Sequence, residues 1–211
     1  MFKQIVEELR EHAQFTIFGA ITGILIMILF QRIPSKVSYN IFYIFHPIHV
    51  LLSALVTASI YGLHTCGHGK HIKGKCNLWI LLIIGYVGSV GIATVSDSIM
   101  PYLGEALLRM PNRGIHLGFI ERWWLVNPLA LIGILIAYFR PGTKFPHAGH
   151  VLLSTWASLF HIIMAMGQSL SWISYIVIFI FLFLAVWVPC CISDIVFPLL
   201  FVKPTEKKKY I

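Results

Sequence analysis

Charge is what this chain of 211 residues has least of. Asp, Glu, Lys and Arg make up only 11% of it, where a soluble domain carries about 25%. Hydrophobic residues make up 58%. A soluble globular domain is excluded, because a fold of this size leaves too much surface outside its core to keep that much apolar area from water. Polar–apolar alternation is also missing. Runs such as 174–188 are continuously apolar, which excludes a membrane barrel and leaves helices as the spanning structure. No apolar leader opens the chain: the first 13 residues hold Lys3, Glu7, Glu8, Arg10 and Glu11, so a cleavable signal peptide is not expected. Neither HExxH nor GxSxG occurs, so two common hydrolase signatures are absent. The formal net charge of +8 sits in loops and the C-terminal tail. It therefore reads as the basic bias of a membrane protein, with no nucleic-acid partner.

What is present in quantity is apolar helix. About 20 helical residues cross the roughly 30 Å hydrocarbon layer, and the apolar runs predict six spans, at about 14–31, 41–62, 77–100, 123–139, 147–167 and 172–201. The expected fold class is all-α, a polytopic membrane helical bundle with the lipid bilayer as its first partner. Six crossings put both termini on one side. That side holds Lys3, Arg10, Lys70, Lys73, Lys75, Arg140, Lys144, Lys203, Lys207, Lys208 and Lys209. The other holds only Arg32, Lys36, Arg109, Arg113 and Arg122. The basic excess predicts cytoplasmic termini.

Self-similarity reorganises the chain. Residues 46–53 read HPIHVLLS and 147–154 read HAGHVLLS; residues 95–101 read VSDSIMP and 192–198 read ISDIVFP. A weaker match joins 23–26 to 133–136 and sets Glu11 against Glu121. The expected organisation is one integral domain of two three-helix repeats, 1–110 and 111–211. Three spans is an odd number, so the second repeat enters the membrane from the opposite side. Inverted repeats of this kind build many transporters, with the substrate site at the repeat interface.

The duplicated residues are the ionisable ones. An ionisable group in hydrocarbon costs a few kcal/mol on insertion scales and by default marks a functional site. His46 and His49 are three residues apart and share a helix face, as do His147 and His150. Each pair supplies two imidazole nitrogens, and Asp97 or Asp194 from the next helix supplies a carboxylate. Such a set suits Zn, Fe or Mn as the divalent ion, and Co equally. Glu11 and Glu121, near the ends of their first spans, are candidates for a further carboxylate in each set. The sequence does not decide between two separate sites and one shared site. Pro47, Pro101, Pro146 and Pro198 lie beside these polar residues and are candidate helix breaks. A blander reading makes the same residues interhelical hydrogen-bonding glue, with Ser53, Ser96, Ser154 and Ser193 in that role.

Weaker signals surround this set. The loop from His64 to Cys76 mixes His64, His68 and His71 with Cys66 and Cys76 in no zinc-finger spacing. Cys190 and Cys191 read as a buried, inert pair. His161 reads as a packed histidine, and His116 falls in the loop before the fourth span. Gly85, Gly88 and Gly91 form a small-residue stripe suited to close helix packing or to a homodimer.

Two functions follow. The first is a transporter of a divalent transition-metal ion, in which protons compete with the metal for His and Asp. The second is a membrane-embedded metalloenzyme, either a Zn hydrolase or a diiron type, using the same ligands with a Glu as base. Inverted duplication of the ligands favours the transporter over the enzyme.

Overall fold

The computed structural model describes residues 2–29, 33–65, 77–142, 144–167 and 170–202, and every regular element among them is helical. The first helix is Phe2–Leu29 and the second Ser35–Thr65. The third, Leu78–Leu107, is followed by a single turn at Gly118–Glu121. The fourth is Trp123–Phe139 and the fifth Lys144–Ala165. The sixth, Trp172–Cys191, continues through Ile192–Val196 to a last turn at Phe197–Leu200. Among the described residues, four stretches are long and apolar enough to cross a membrane: Ser35–Thr65, Leu78–Leu107, Ala148–Ala165 and Trp172–Cys191. Ala13–Leu29 and Trp123–Phe139 are shorter apolar helices. The chain is thus a helical bundle of integral-membrane type. Beyond Thr65, the Cys/His loop lies outside the described residues, as do the side chains of Glu11, His147 and Asp194.

The prolines act differently from the expected breaks. Pro47 lies inside the unbroken second helix, and Pro146 falls in the first turn of the fifth. Pro101 and Pro198 each stand at the start of an α-helical segment that follows a π-helical one, Val95–Ile99 and Ile192–Val196. The cause is local. Proline has no N–H to give the carbonyl four residues back and its ring crowds that carbonyl. In both motifs that carbonyl belongs to the Asp. The ladder widens there to i→i+5 spacing, a distortion often found at functional sites. The helix then continues, so the third helix reaches Leu107 rather than ending near residue 100. That extension carries Glu105, fully buried, into the bundle.

Side chains such as Trp79, Ile83, Phe139, Trp172 and Ile173 face outward, as lipid-facing positions should. The second helix is the hub, packing along the fifth and the fourth. The first helix packs on the fifth and sixth, and the third on the second and fourth. One apolar cluster gathers Met27, Phe42, Leu159, Ile162, Ile178 and Leu182. Another gathers Ala54, Ala58, Leu81, Ile84 and Ile134. The glycine stripe is used inside the chain. A Cβ on Gly85 would meet Ile134 Cγ1 at 2.7 Å, and one on Gly88 would meet Thr57 Cγ2 at 2.7 Å. A homodimer expected through that stripe therefore loses Gly85 and Gly88 as a surface.

Candidate metal centre

The second helix presents His46 and His49 one turn apart, and the π segment of the third helix presents Asp97 to both. Asp97 Oδ2 accepts from His46 Nδ1 at 2.8 Å and from His49 Nδ1 at 2.7 Å. Asp97 Oδ1 accepts from Ser96 Oγ at 2.7 Å and from Ser154 Oγ, on the fifth helix, at 2.6 Å. All three ionisable residues are at most 1% exposed. A lone carboxylate would be very costly in such a place; four donors make this one tolerable. One donor atom from each of His46, His49 and Asp97 lies within 4.8 Å of the others, a span that one metal ion can bridge.

The fifth helix reaches the same place. The rings of His49 and His150, equivalent residues of the two HxxH motifs, lie stacked with centroids 5.7 Å apart and planes 9° apart. His150 is fully buried. The serines of the two motifs bond in matching fashion. Ser154 Oγ donates to Ser96 Oγ at 3.2 Å and Ser158 Oγ to the Ser96 carbonyl at 2.9 Å. In the other pairing, Ser53 Oγ lies 3.4 Å from Ser193 Oγ and Thr57 Oγ1 donates to the Ser193 carbonyl at 3.5 Å. Ser193 Oγ also donates to the Gly88 carbonyl at 2.8 Å. The serines read as helix glue do bridge helices, and Ser96 and Ser154 in addition hold the carboxylate.

Glu121 is placed elsewhere. Its Oε2 accepts from Tyr43 Oη at 2.7 Å, and both its oxygens lie 3.3 Å from His116 Nδ1. Partial burial pushes its carboxyl up, but the Tyr43 hydrogen bond and the His116 charge outweigh that and hold it below the usual carboxylate range. Glu121 thus joins a tyrosine and a histidine and stands outside the His46, His49 and Asp97 group. Cys190 and Cys191 are both buried.

Sequence reasoning missed two features. A third span ending near residue 100 leaves Glu105 outside it; an acidic residue close to an apolar run is the signal that points to it. Its Oε1 accepts from His161 Nδ1 at 2.7 Å, and both residues are at most 1% exposed. Gly118 had no sequence signal at all. A Cβ there would stand 2.5 Å from both Cδ2 and Nε2 of His46, so the connector closes directly over that ring. Gly118→Ala is expected to cost about 1–3 kcal/mol by overpacking and to displace His46. Gly62→Ala, on the second helix, is the control, since an added Cβ there would meet nothing within 4 Å. Thermal unfolding and metal titration of the two purified variants check this, and equal behaviour would refute it.

No family model, no curated protein and no solved structure matches this chain.

Proposed function

We infer that the chain is a secondary transporter for a divalent transition-metal ion, held midway by His46, His49 and Asp97. The observation that carries this reading is the convergence of those three donors, fully enclosed in a bundle of membrane type. Two imidazoles and a carboxylate are a nitrogen–oxygen set suited to Zn²⁺, Fe²⁺ or Mn²⁺. Ion binding displaces the N–H···O bonds that otherwise fill the site. Protons and metal then compete for the same atoms, which is the chemistry of proton-coupled exchange.

The alternating-access part rests on the repeat. Two inverted halves draw support from the helix contacts, which come in swapped pairs, while six crossings with both termini cytoplasmic rest on the apolar runs and basic residues of the sequence alone. The second helix packs on the fourth as the fifth packs on the first, and the first packs on the sixth as the fourth packs on the third. The second and fifth helices pair with each other, and the stacking of His49 on His150 falls on that pairing. This favours one central site over two remote ones; His147 and Asp194, whose side chains lie outside the described residues, remain candidates for it from the sequence alone. Rocking one half against the other would expose such a site to each side in turn.

Metal content and uptake test the reading together. Detergent-purified wild type is expected to carry transition metal at the central site, and His49→Ala plus His150→Ala to lose that one ion per chain. Proteoliposomes with wild type are expected to accumulate the same ion, and those with the double variant to remain at the protein-free rate. Bound metal without uptake would favour the metalloenzyme. No metal after reconstitution with added ions would leave the His and Asp residues as packing groups.

A further inference from the structure

We propose a second metal site, formed by His116 and His161 with Glu105 and Glu121 behind them, that takes an imidazole-preferring divalent transition ion. Its residues are distinct from the central set. It rests on the transport reading only for its role as a docking station, not for its capacity to bind.

Each of these histidines is held by a carboxylate through Nδ1. His161 Nδ1 lies 2.7 Å from Glu105 Oε1, and His116 Nδ1 lies 3.3 Å from both Glu121 oxygens. An ionised carboxylate only accepts, so beside one, Nδ1 carries the proton. In the neutral imidazole Nε2 then carries the lone pair. His161 Nε2 is buried and has no hydrogen-bond partner among the described residues. A carboxylate on one ring nitrogen and a metal on the other is the recurrent build of histidine metal sites.

The spacing fits as well. The two ring centroids are 5.3 Å apart with planes at 65°. With each nitrogen about 2 Å from a zinc ion, two ring centres on one ion stand roughly 5–6 Å apart. Glu105 is further fixed by the Gly114 amide, which donates to its Oε2 at 3.4 Å. The connector bearing Gly114 and His116 is itself tied to the third helix, where Ser98 Oγ donates to the His116 carbonyl at 2.6 Å.

Position gives the site its role. His116 and Glu121 are 28% and 33% exposed, whereas His161 and Glu105 are enclosed. An ion from water therefore meets a half-open pair before a closed one. Phe42 stands between this site and the central one. It stacks on His46 with centroids 5.1 Å apart and meets His161 edge-on at 5.4 Å. The site is also one-sided. At the repeat offsets, His161 corresponds to Ile60, His116 to Val6 and Glu105 to Val202. Only one end of the pseudo-symmetric bundle would then have a docking station, which gives the two faces unequal affinity for the ion.

The test is titration of the full-length, detergent-purified chain with Co²⁺, followed by its visible absorption and by calorimetry. Wild type is expected to bind two ions. His116→Ala and, separately, His161→Asn are expected to weaken one of them at least 10-fold and to leave the other unchanged. The Asn keeps a donor for Glu105, so that its carboxylate is not stranded. Glu121→Gln is expected to weaken the same ion by about 10–100-fold, as loss of an outer carboxylate does. His46→Ala plus His49→Ala is expected to remove the other ion. Wild-type binding of both ions in His116→Ala and His161→Asn would overturn the second site and leave the central one standing. Loss of one ion in those variants, with no change in the His46/His49 variant, would overturn the central site and support this one.

Discussion

Asp97→Ala is expected to cost about 3–5 kcal/mol, the usual loss when one partner is removed from a buried charged network. The same change should abolish binding at the central site. The carboxylate accepts four hydrogen bonds, two from imidazole N–H groups and two from serine hydroxyls. Alanine removes the acceptor of all four. The serines have other acceptors nearby, Ser96 at the Ala93 carbonyl and Ser154 at Ser96 Oγ, but the two imidazoles have none among the described partners of their Nδ1 atoms. Asp97→Asn separates folding from function. Its amide oxygen replaces Oδ2 toward the histidines, and its NH₂ donates to serine oxygens whose hydroxyls turn to those other acceptors. The Asn variant is therefore expected within about 1.5 kcal/mol of wild type, the scale of one neutral hydrogen bond. Its metal affinity should fall at least as far as the roughly 10–100-fold that follows loss of an outer-shell carboxylate. Denaturant unfolding and metal titration on the same preparations read the two effects. An Asn variant with wild-type affinity would reduce Asp97 to a packing residue.

Gly133→Ala and Gly23→Ala are expected to differ sharply, although the two glycines match in the sequence alignment of 23–26 with 133–136. A Cβ on Gly133 would run into the carbonyl oxygen of Leu51 and stand 3.0 Å from Ala54 Cβ. Leu51 and Ala54 lie on the second helix, whose backbone at this crossing is fixed by its packing on the fourth and fifth. The fourth helix would have to move away. Overpacking usually costs about 1–3 kcal/mol, and a backbone obstacle places this case at or above the upper end. A Cβ on Gly23 would meet only the side chain of Leu159, at 3.4 Å and beyond, which is ordinary contact with a flexible group. Gly23→Ala should stay within about 0.5 kcal/mol of wild type, as neutral substitutions do. Thermal unfolding in one detergent compares them; equal losses would mean that the fourth helix is not locked on the second at Gly133.

That unequal pair shows where sequence reading stops. The matching of residues 23–26 with 133–136 is visible in the letters, and so is the equivalence of His46 and His49 with His147 and His150. Whether a glycine touches a carbonyl or a leucine depends on which helix lies opposite. The Asp in each SDxxxP motif was legible as a candidate ligand, and the proline four residues on was legible as a distortion. The direction of the distortion was not. A break was expected, and a π segment with a continuing helix occurs instead. Each residue added to a helical turn rotates everything after it by about 100°. A strict 3.6-residue count from Asp97 therefore does not place Glu105 opposite His161.

Class, by contrast, was determined by the sequence alone. The scarcity of charge and the unbroken apolar runs demand a membrane-type helical bundle, because hydrophobicity and backbone hydrogen bonding are local and additive along the chain. The grouping of two histidines on one helix face is equally local, since it follows from a spacing of three. Tertiary structure decided which residues from distant segments meet. Ser154 reaches Asp97 across 57 positions, His161 reaches Glu105 across 56, and Gly118 closes over His46. Those meetings depend on helix crossing and rotation, which are set by the sum of many small packing contacts and carry no mark in any one stretch of residues.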